Sequence, residues 1–410
     1  MKKIILVICD GLGDLPVKEF DNKTPLEAAH TPNLDSLAKN GINGQMYVLG
    51  KGVRPNSDEA HLTLFGYDLK TSYPKRGPLE ALGVGIKLQE GDIAIRANIA
   101  TVDKELRVID RRAGRAESKN FVKELDGIKI NNVKFIVKPG TAHRVIIVMR
   151  GKNLSDKISN SDVHYVTEDK VIENWKLKKV NEIKPLDNSK EAKFTAETLE
   201  KFLKKAHEIL EKNPLNKERE KQGKLKANYL LTRGPGYYKE VTSFYEKYNL
   251  KAACIAGAGL YKGIGSYVGM DLINVKGATG TENTNIKAKF EKAKEILKDY
   301  DFIFIHIKAT DIYGENGDCL GKKRFIEKID KALSVLKNIN AMIILTADHS
   351  TPCYKKDHSA DPVPVAIYYK GIKKDEVKSF SEKACKQGKL NTILGKDFMK
   401  LILRIAKNES

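Results

Sequence analysis

Five short segments of this chain hold residue types that bind divalent cations or act as nucleophiles. Asp10 stands in Cys9-Asp10-Gly11. Ser57 lies in Asn56-Ser57-Asp58-Glu59-Ala60-His61. Asp311 and Glu315 are four positions apart, Asp348 and His349 are adjacent, and His358 opens His358-Ser359-Ala360-Asp361. Taken singly, each has an ordinary structural reading. An Asp after a strand caps a helix or forms a turn, and a Ser before acidic residues is an N-cap. An isolated His in a loop sits at the surface. Asp348-His349, directly after an apolar run, is the pair that stands out. Together the carboxylates and imidazoles suit Mn²⁺, Mg²⁺ or Zn²⁺, with the serine as a nucleophile beside them.

The elements that must position these residues are legible in the apolar pattern. Lys3–Cys9 runs into Asp10, Phe302–Ile307 leads to Asp311, and Ala341–Thr346 leads to Asp348. Ala252–Ile255 precedes a Gly-rich stretch. Near-continuous Ile/Val/Leu/Phe runs predict strands buried on both faces, as in parallel sheets. Helical patterns at Thr31–Asn40, Asn285–Asp299 and Lys322–Asn338 alternate with them. This predicts an α/β doubly wound, mostly parallel sheet, whose ligands gather beyond the carboxyl ends of its strands. The middle reads differently. Alternating segments Ile93–Val102, Lys134–Val137 and Arg144–Val148 precede a charged helical stretch, Glu191–Glu211, and a polar Lys-rich segment, Asn213–Lys226. We expect a discontinuous α/β domain, 1–71 and 226–410, and an inserted smaller α+β domain, 72–225.

The order of these residues resembles that of the alkaline phosphatase superfamily, as does Thr31-Pro32-Asn33-Leu34-Asp35-Ser36-Leu37-Ala38. Five further segments narrow the resemblance to the archaeal-type, cofactor-independent phosphoglycerate mutases. They are Ser57–Tyr67, Arg76–Gly83, Asp110–Arg115, Thr232–Gly236 and Asp357–Pro364. The resemblance spans the whole chain and implies an isomerase with two divalent metal ions and no 2,3-bisphosphoglycerate. Ser57 aligns with the nucleophile that becomes phosphoserine. Asp10, Ser57, Asp348 and His349 would hold one ion, and Asp311 and His358 the other. Glu315 stands where the family usually has His; its harder carboxylate favours Mn²⁺ or Mg²⁺ over Zn²⁺ or Co²⁺. Asn56 stands where Gly is common. His61, Arg96, Arg111, Arg112, Arg115 and Arg233 fall in matching segments, and His164 in one that matches in part; they would bind phosphoglycerate, whose carboxylate and phosphate suit the arginine fork. Lys262 aligns with a lysine that assists the leaving oxygen. The competing readings are a phosphatase or phosphonate hydrolase on the same metal core, and an anion-binding protein with a degraded site.

Composition narrows the field further. A chain of 410 residues, 41% hydrophobic and 31% charged, is expected to fold as a globular protein. The net charge of +20 is spread as lysine along amphipathic stretches, without basic–aromatic interleaving, so no nucleic-acid partner is expected. No apolar run approaches the roughly 18 residues of a membrane span. With no leader pattern at the N-terminus, a cytoplasmic enzyme is expected, whose five scattered cysteines are reduced thiols.

Overall fold

The computed structural model describes residues 1–165 and 174–407. Its strands, in chain order, are β1 (Ile4–Cys9), β2 (Ile42–Tyr47), β3 (Ile93–Val102), β4 (Val108–Asp110), β5 (Lys129–Ile130), β6 (Val133–Pro139), β7 (Arg144–Arg150), β8 (Tyr229–Tyr237), β9 (Ala252–Ile255), β10 (Asp271–Leu272), β11 (Phe302–Ile307), β12 (Met342–Thr346), β13 (Val363–Tyr368) and β14 (Asn391–Leu394). The chain divides into two compact units, Met1–Tyr73 with Val241–Ser410, and Pro74–Glu240.

The first unit is built on one sheet in the order β10-β9-β11-β1-β12-β13-β2-β14. Strand β1 lies at its centre, parallel to β11 and β12 in the registers Ile4↔Phe302 and Ile4↔Met342. All six of its side chains are buried, as the continuous apolar run predicts. Each such Ile, Leu or Val contributes about 1.5–3 kcal/mol by leaving water. Strands β12–β13 and β13–β2 pair antiparallel, so the sheet is mixed at that side. The carboxyl ends of β1, β11 and β12 lie side by side and deliver Asp10, Asp311 and Asp348 to one crevice. The turn after β1 needs Gly11. Its φ is +61°, and a Cβ there would stand 2.8 Å from the Asp311 Cα.

The second unit is an antiparallel sheet, β4-β3-β7-β6-β5, with β8 also paired to β3. Helix Lys190–Lys212, capped by Ser189, buries Leu199, Phe202 and Leu203 in the core that β3, β6 and β7 share. The Phe135 and Phe202 rings stack at 4.0 Å. One expectation needs correcting. The chain leaves this unit after Glu240, not at 225, because β8 completes the sheet beside β3. The polar segment after Asn213 is in part a helix, Pro214–Lys221, started by Pro at its first position and by the Asn213 side chain accepting from Leu215 N.

Candidate active site

Ser57 is the first residue of helix Ser57–Leu64, and its buried Oγ lies 3.2 Å from His349 Nε2. His349 Nε2 is also 3.3 Å from Asp10 Oδ1 and 3.3 Å from Asp348 Oδ2. Ligand atoms of Asp10, Asp348 and His349 thus converge, as do those of Asp311, His349 and His358. His349 belongs to both sets, where the sequence placed it in one. The His349 and His358 rings stack at 3.6 Å. The loop before the nucleophile is tied to this group: His358 Nδ1 is 2.9 Å from Pro55 O, and Arg54 pairs with Asp357.

The hydrogen bonds fix where the imidazole protons sit. Pro55 O can only accept, so His358 Nδ1 carries a proton, and its Nε2 faces Asp311 Oδ1 at 3.5 Å. The Thr351 hydroxyl donates to Asp311 Oδ1 at 2.6 Å, so it accepts from His349 Nδ1 at 3.1 Å. His349 Nε2 is thereby turned toward the carboxylates of Asp10 and Asp348. Asp348 Oδ2 is buried without a hydrogen bond among the described residues. Imidazole nitrogens and carboxylate oxygens converging on one point are the donors a divalent ion takes, so these sets fit divalent ions.

One cation is supplied by the chain itself. The Lys308 ammonium is 2.6 Å from Asp311 Oδ2 and 3.3 Å from Asp10 Oδ1. Burial alone would raise the Asp10 carboxyl, yet Lys308 and the hydrogen bonds of His306 and His349 hold it well below the usual range. Asp348 is pushed up to about 7, because burial and the Asp10 charge outweigh the pull of His349 and Lys308. Burial keeps His61 neutral, pressed down to about 4. His61 Nδ1 binds Ser57 O at 2.6 Å, so this histidine holds the nucleophile's backbone.

Other expected residues fall less centrally. Glu315 shares helix Ala309–Asn316 with Asp311, one turn on, but its side chain is 53% exposed and 4.0 Å from His358 Nε2. It stands at the rim, outside the converging sets. Lys262 is not brought to Ser57: its ammonium lies 3.5 Å from Asn274 Oδ1. Helix Gly259–Tyr267 instead turns Tyr261 inward, and its hydroxyl donates to Asp10 Oδ2.

In the second unit, Arg96 and Arg233 are opposite one another on β3 and β8. Arg96 Nε is 3.1 Å from the buried Glu80, which also takes Arg76 at 3.0 Å. The Arg96 and Arg233 Nε atoms are buried without hydrogen bonds among the described residues. One carboxylate does not balance these guanidinium groups. The surplus suits an anion. Arg233 lies over the Tyr165 ring at 4.4 Å. Arg112 and Arg115 are exposed on the loop between β4 and the rest of the unit. Arg111, expected to bind substrate, is committed elsewhere. Its fork pairs both oxygens of buried Asp162 at 2.9 and 2.7 Å. The His164 N–H donates to the same carboxylate at 3.1 Å. His143, which the sequence reading passed over, is pressed down to about 4 by burial and by Arg112, Arg144, Arg115 and Arg233.

Residues 2–405 match the Metalloenzyme superfamily. The chain is 46% identical to 2,3-bisphosphoglycerate-independent phosphoglycerate mutase 1 of Methanocaldococcus jannaschii, covering 99% of this chain and 98% of that protein. It is 47% identical to the mutase of Methanococcus aeolicus, covering 98% and 97%. The chain belongs to the family of 2,3-bisphosphoglycerate-independent phosphoglycerate mutases. Its fold is similar to the solved cofactor-independent phosphoglycerate mutase from Thermoplasma acidophilum, with TM-score 0.74, 36% identity, and 99% and 100% of the two chains covered. Divalent-metal dependence accords with both the superfamily and the two converging donor sets. Among the described residues, no helix is long and apolar enough to cross a membrane.

Lys308 and Thr351 are among the residues of this mutase site that sequence reasoning missed, with Tyr261 and His306. The first two carried a signal. Lys308 is the first polar residue after the apolar run of β11, and Thr351 follows His349 by two positions.

Proposed function

We propose that this chain interconverts 3-phosphoglycerate and 2-phosphoglycerate through a phosphoserine at Ser57. The observation that carries the reading is Ser57 Oγ at the start of a helix, 3.2 Å from His349 Nε2 and within a cluster of two converging carboxylate–imidazole sets. Asp10, Asp348, His349 and Ser57 would hold one ion. Asp311, His358 and His349 would hold the second, with Glu315 at its rim. When bound, the ions supply Lewis-acid charge that lowers the serine's pKa and neutralises the phosphoryl oxygens.

The chain's own residues do the rest. Ser57 Oγ attacks phosphorus, the O–P bond to C3 breaks, and the freed glycerate oxygen takes a proton. The C2 hydroxyl then loses its proton as its oxygen attacks the phosphoserine, and Ser57 is restored. No water is consumed. His61 fixes the nucleophile through its carbonyl, and the N-terminal end of helix Ser57–Leu64 favours negative charge at Ser57. Lys308 presents a cation beside Asp10 and Asp311. The arginine surplus of the second unit supplies charge for the substrate's anionic groups, with Arg96 and Arg233 as its buried members.

The test is an enolase-coupled assay of the purified protein, with Mn²⁺, Mg²⁺ and Co²⁺ added separately and phosphate release followed in parallel. Isomerisation should outrun phosphate release by orders of magnitude. Release at a comparable rate would turn the reading to a phosphatase.

A further inference from the structure

Asp10 is the most heavily bonded carboxylate of the site, and its two oxygens face different surroundings. Oδ2 accepts from the Tyr261 hydroxyl and from His306 Nε2 at 3.0 Å. Oδ1 lies 3.3 Å from His349 Nε2, on the side where the donor atoms converge. Tyr261 and His306 also hold each other. Their rings stack at 3.4 Å with only 18° between planes, and both side chains are buried.

The tautomer of His306 follows from its neighbours. Nε2 meets a carboxylate that can only accept, so Nε2 carries the proton. Nδ1 is buried with no hydrogen bond among the described residues, as a neutral ring requires. The backbone of β11 is fixed at the same residue, because the buried Lys289 ammonium donates to His306 O at 2.8 Å. Neither Tyr261 nor His306 belongs to the converging donor sets. Both act on Asp10 from behind.

We propose that Tyr261 and His306 are positioning residues that aim Asp10 Oδ1 at the metal by binding its Oδ2. This rests on the reading of Asp10 as a ligand. Two donors on one oxygen lock the carboxylate's rotation and turn Oδ1, which also lies 3.3 Å from the Lys308 ammonium, toward the converging donor atoms. Outer partners of this kind are typically worth about 10–100-fold in metal affinity.

The experiment is calorimetric titration of Mn²⁺ alone into metal-stripped protein, for wild type, Asp10→Asn, Tyr261→Phe, His306→Ala and His306→Gln. Asp10→Asn should lose one equivalent of bound Mn²⁺. Tyr261→Phe and His306→Ala should keep that equivalent but bind it about 10–100-fold more weakly. His306→Gln restores a donor near Nε2 and should lie closer to wild type. At saturating Mn²⁺, kcat of the positioning variants should recover, with KM for phosphoglycerate unchanged; a packing defect would not be rescued by metal. Unchanged binding in Asp10→Asn overturns the ligand reading itself. Loss of an equivalent in Asp10→Asn, with wild-type affinity in Tyr261→Phe and His306→Ala, overturns the positioning role alone. Should His306→Ala fail to fold, Tyr261→Phe removes a single hydroxyl and decides the matter.

Discussion

Replacing Lys308 by Met tests whether the site is a cation cage. The ammonium bridges Asp311 at 2.6 Å and Asp10 at 3.3 Å, and the side chain is only 21% exposed. Met keeps most of the stem's volume and removes the charge. Deleting one partner of a buried ion pair costs about 3–5 kcal/mol, because the remaining charge stays uncompensated. In a unit of this size each kcal/mol moves Tm by about 2–4 °C, so the metal-free variant should melt roughly 6–20 °C lower. Mn²⁺ should reverse much of the loss. At about 100 times Kd an ion adds ~2.7 kcal/mol, and a tenfold tighter site adds ~1.4 kcal/mol more. The site should tighten in the variant because the ion no longer competes with an ammonium for the same oxygens. Scanning calorimetry with and without Mn²⁺ measures both quantities. The reasoning fails if the Mn²⁺-induced rise in Tm is no larger in Lys308→Met than in wild type, or if the metal-free variant melts unchanged.

Ser57→Ala should abolish turnover while leaving the circular dichroism spectrum intact, and trapping with labelled phosphoglycerate should place phosphate on Ser57 alone; label elsewhere refutes the assignment. Glu315→Ala should lower the occupancy of one of two metal sites, and Glu315→His should shift preference toward softer ions with activity equal or higher. Two tightly bound ions of unchanged affinity in the alanine variant would show that Glu315 is no ligand. Glu382, whose oxygens accept from Asp14 N and the Thr24 hydroxyl, is pushed up to about 7, chiefly by burial. A raised acid stabilises the fold below its unfolded value and loses that contribution as pH climbs toward 7. Glu382→Gln should therefore flatten the fall in Tm between pH 5 and 8; an unaltered slope would assign that fall to other groups.

The metal-type residues were legible because β1, β11 and β12 are buried on both faces. A parallel strand with no solvent side reads as an unbroken apolar run, and its first polar residues mark the carboxyl end where ligands gather. Asp10 and Asp348 follow directly. Asp311 lies past Lys308, and the same rule, applied three residues earlier, selects the lysine as well. His306 stayed hidden because it interrupts the apolar run of β11 by a single imidazole, which reads as an ordinary core residue. Tyr261 and Lys262 differ by about 100° around a helix, and no strong periodicity in Gly259–Tyr267 says which one faces inward. The partner of Arg111 was hidden for a different reason. An arginine in a tight polar loop looks free until its partner is known, and Asp162 is far along the chain. The limits of the second unit were blurred likewise: β8 is a strand by composition, but only its pairing with β3 says which sheet owns it.

The electrostatics of the cluster explain why so many partners surround it. Asp10, Asp348 and Asp311 are all buried, and two imidazole nitrogens point among them. In such surroundings an uncompensated carboxylate is protonated rather than charged, and Asp348, raised to about 7, shows the tendency. Lys308 answers the charge of Asp10 and Asp311, the Thr351 hydroxyl and the Tyr261 and His306 donors each take one carboxylate oxygen, and Asp348 Oδ2 is left without any. The unsatisfied atom is the one the fold itself cannot supply with a donor. A site held at this cost in stability is built for an incoming cation, and the stability that cation returns should be measurable apart from turnover.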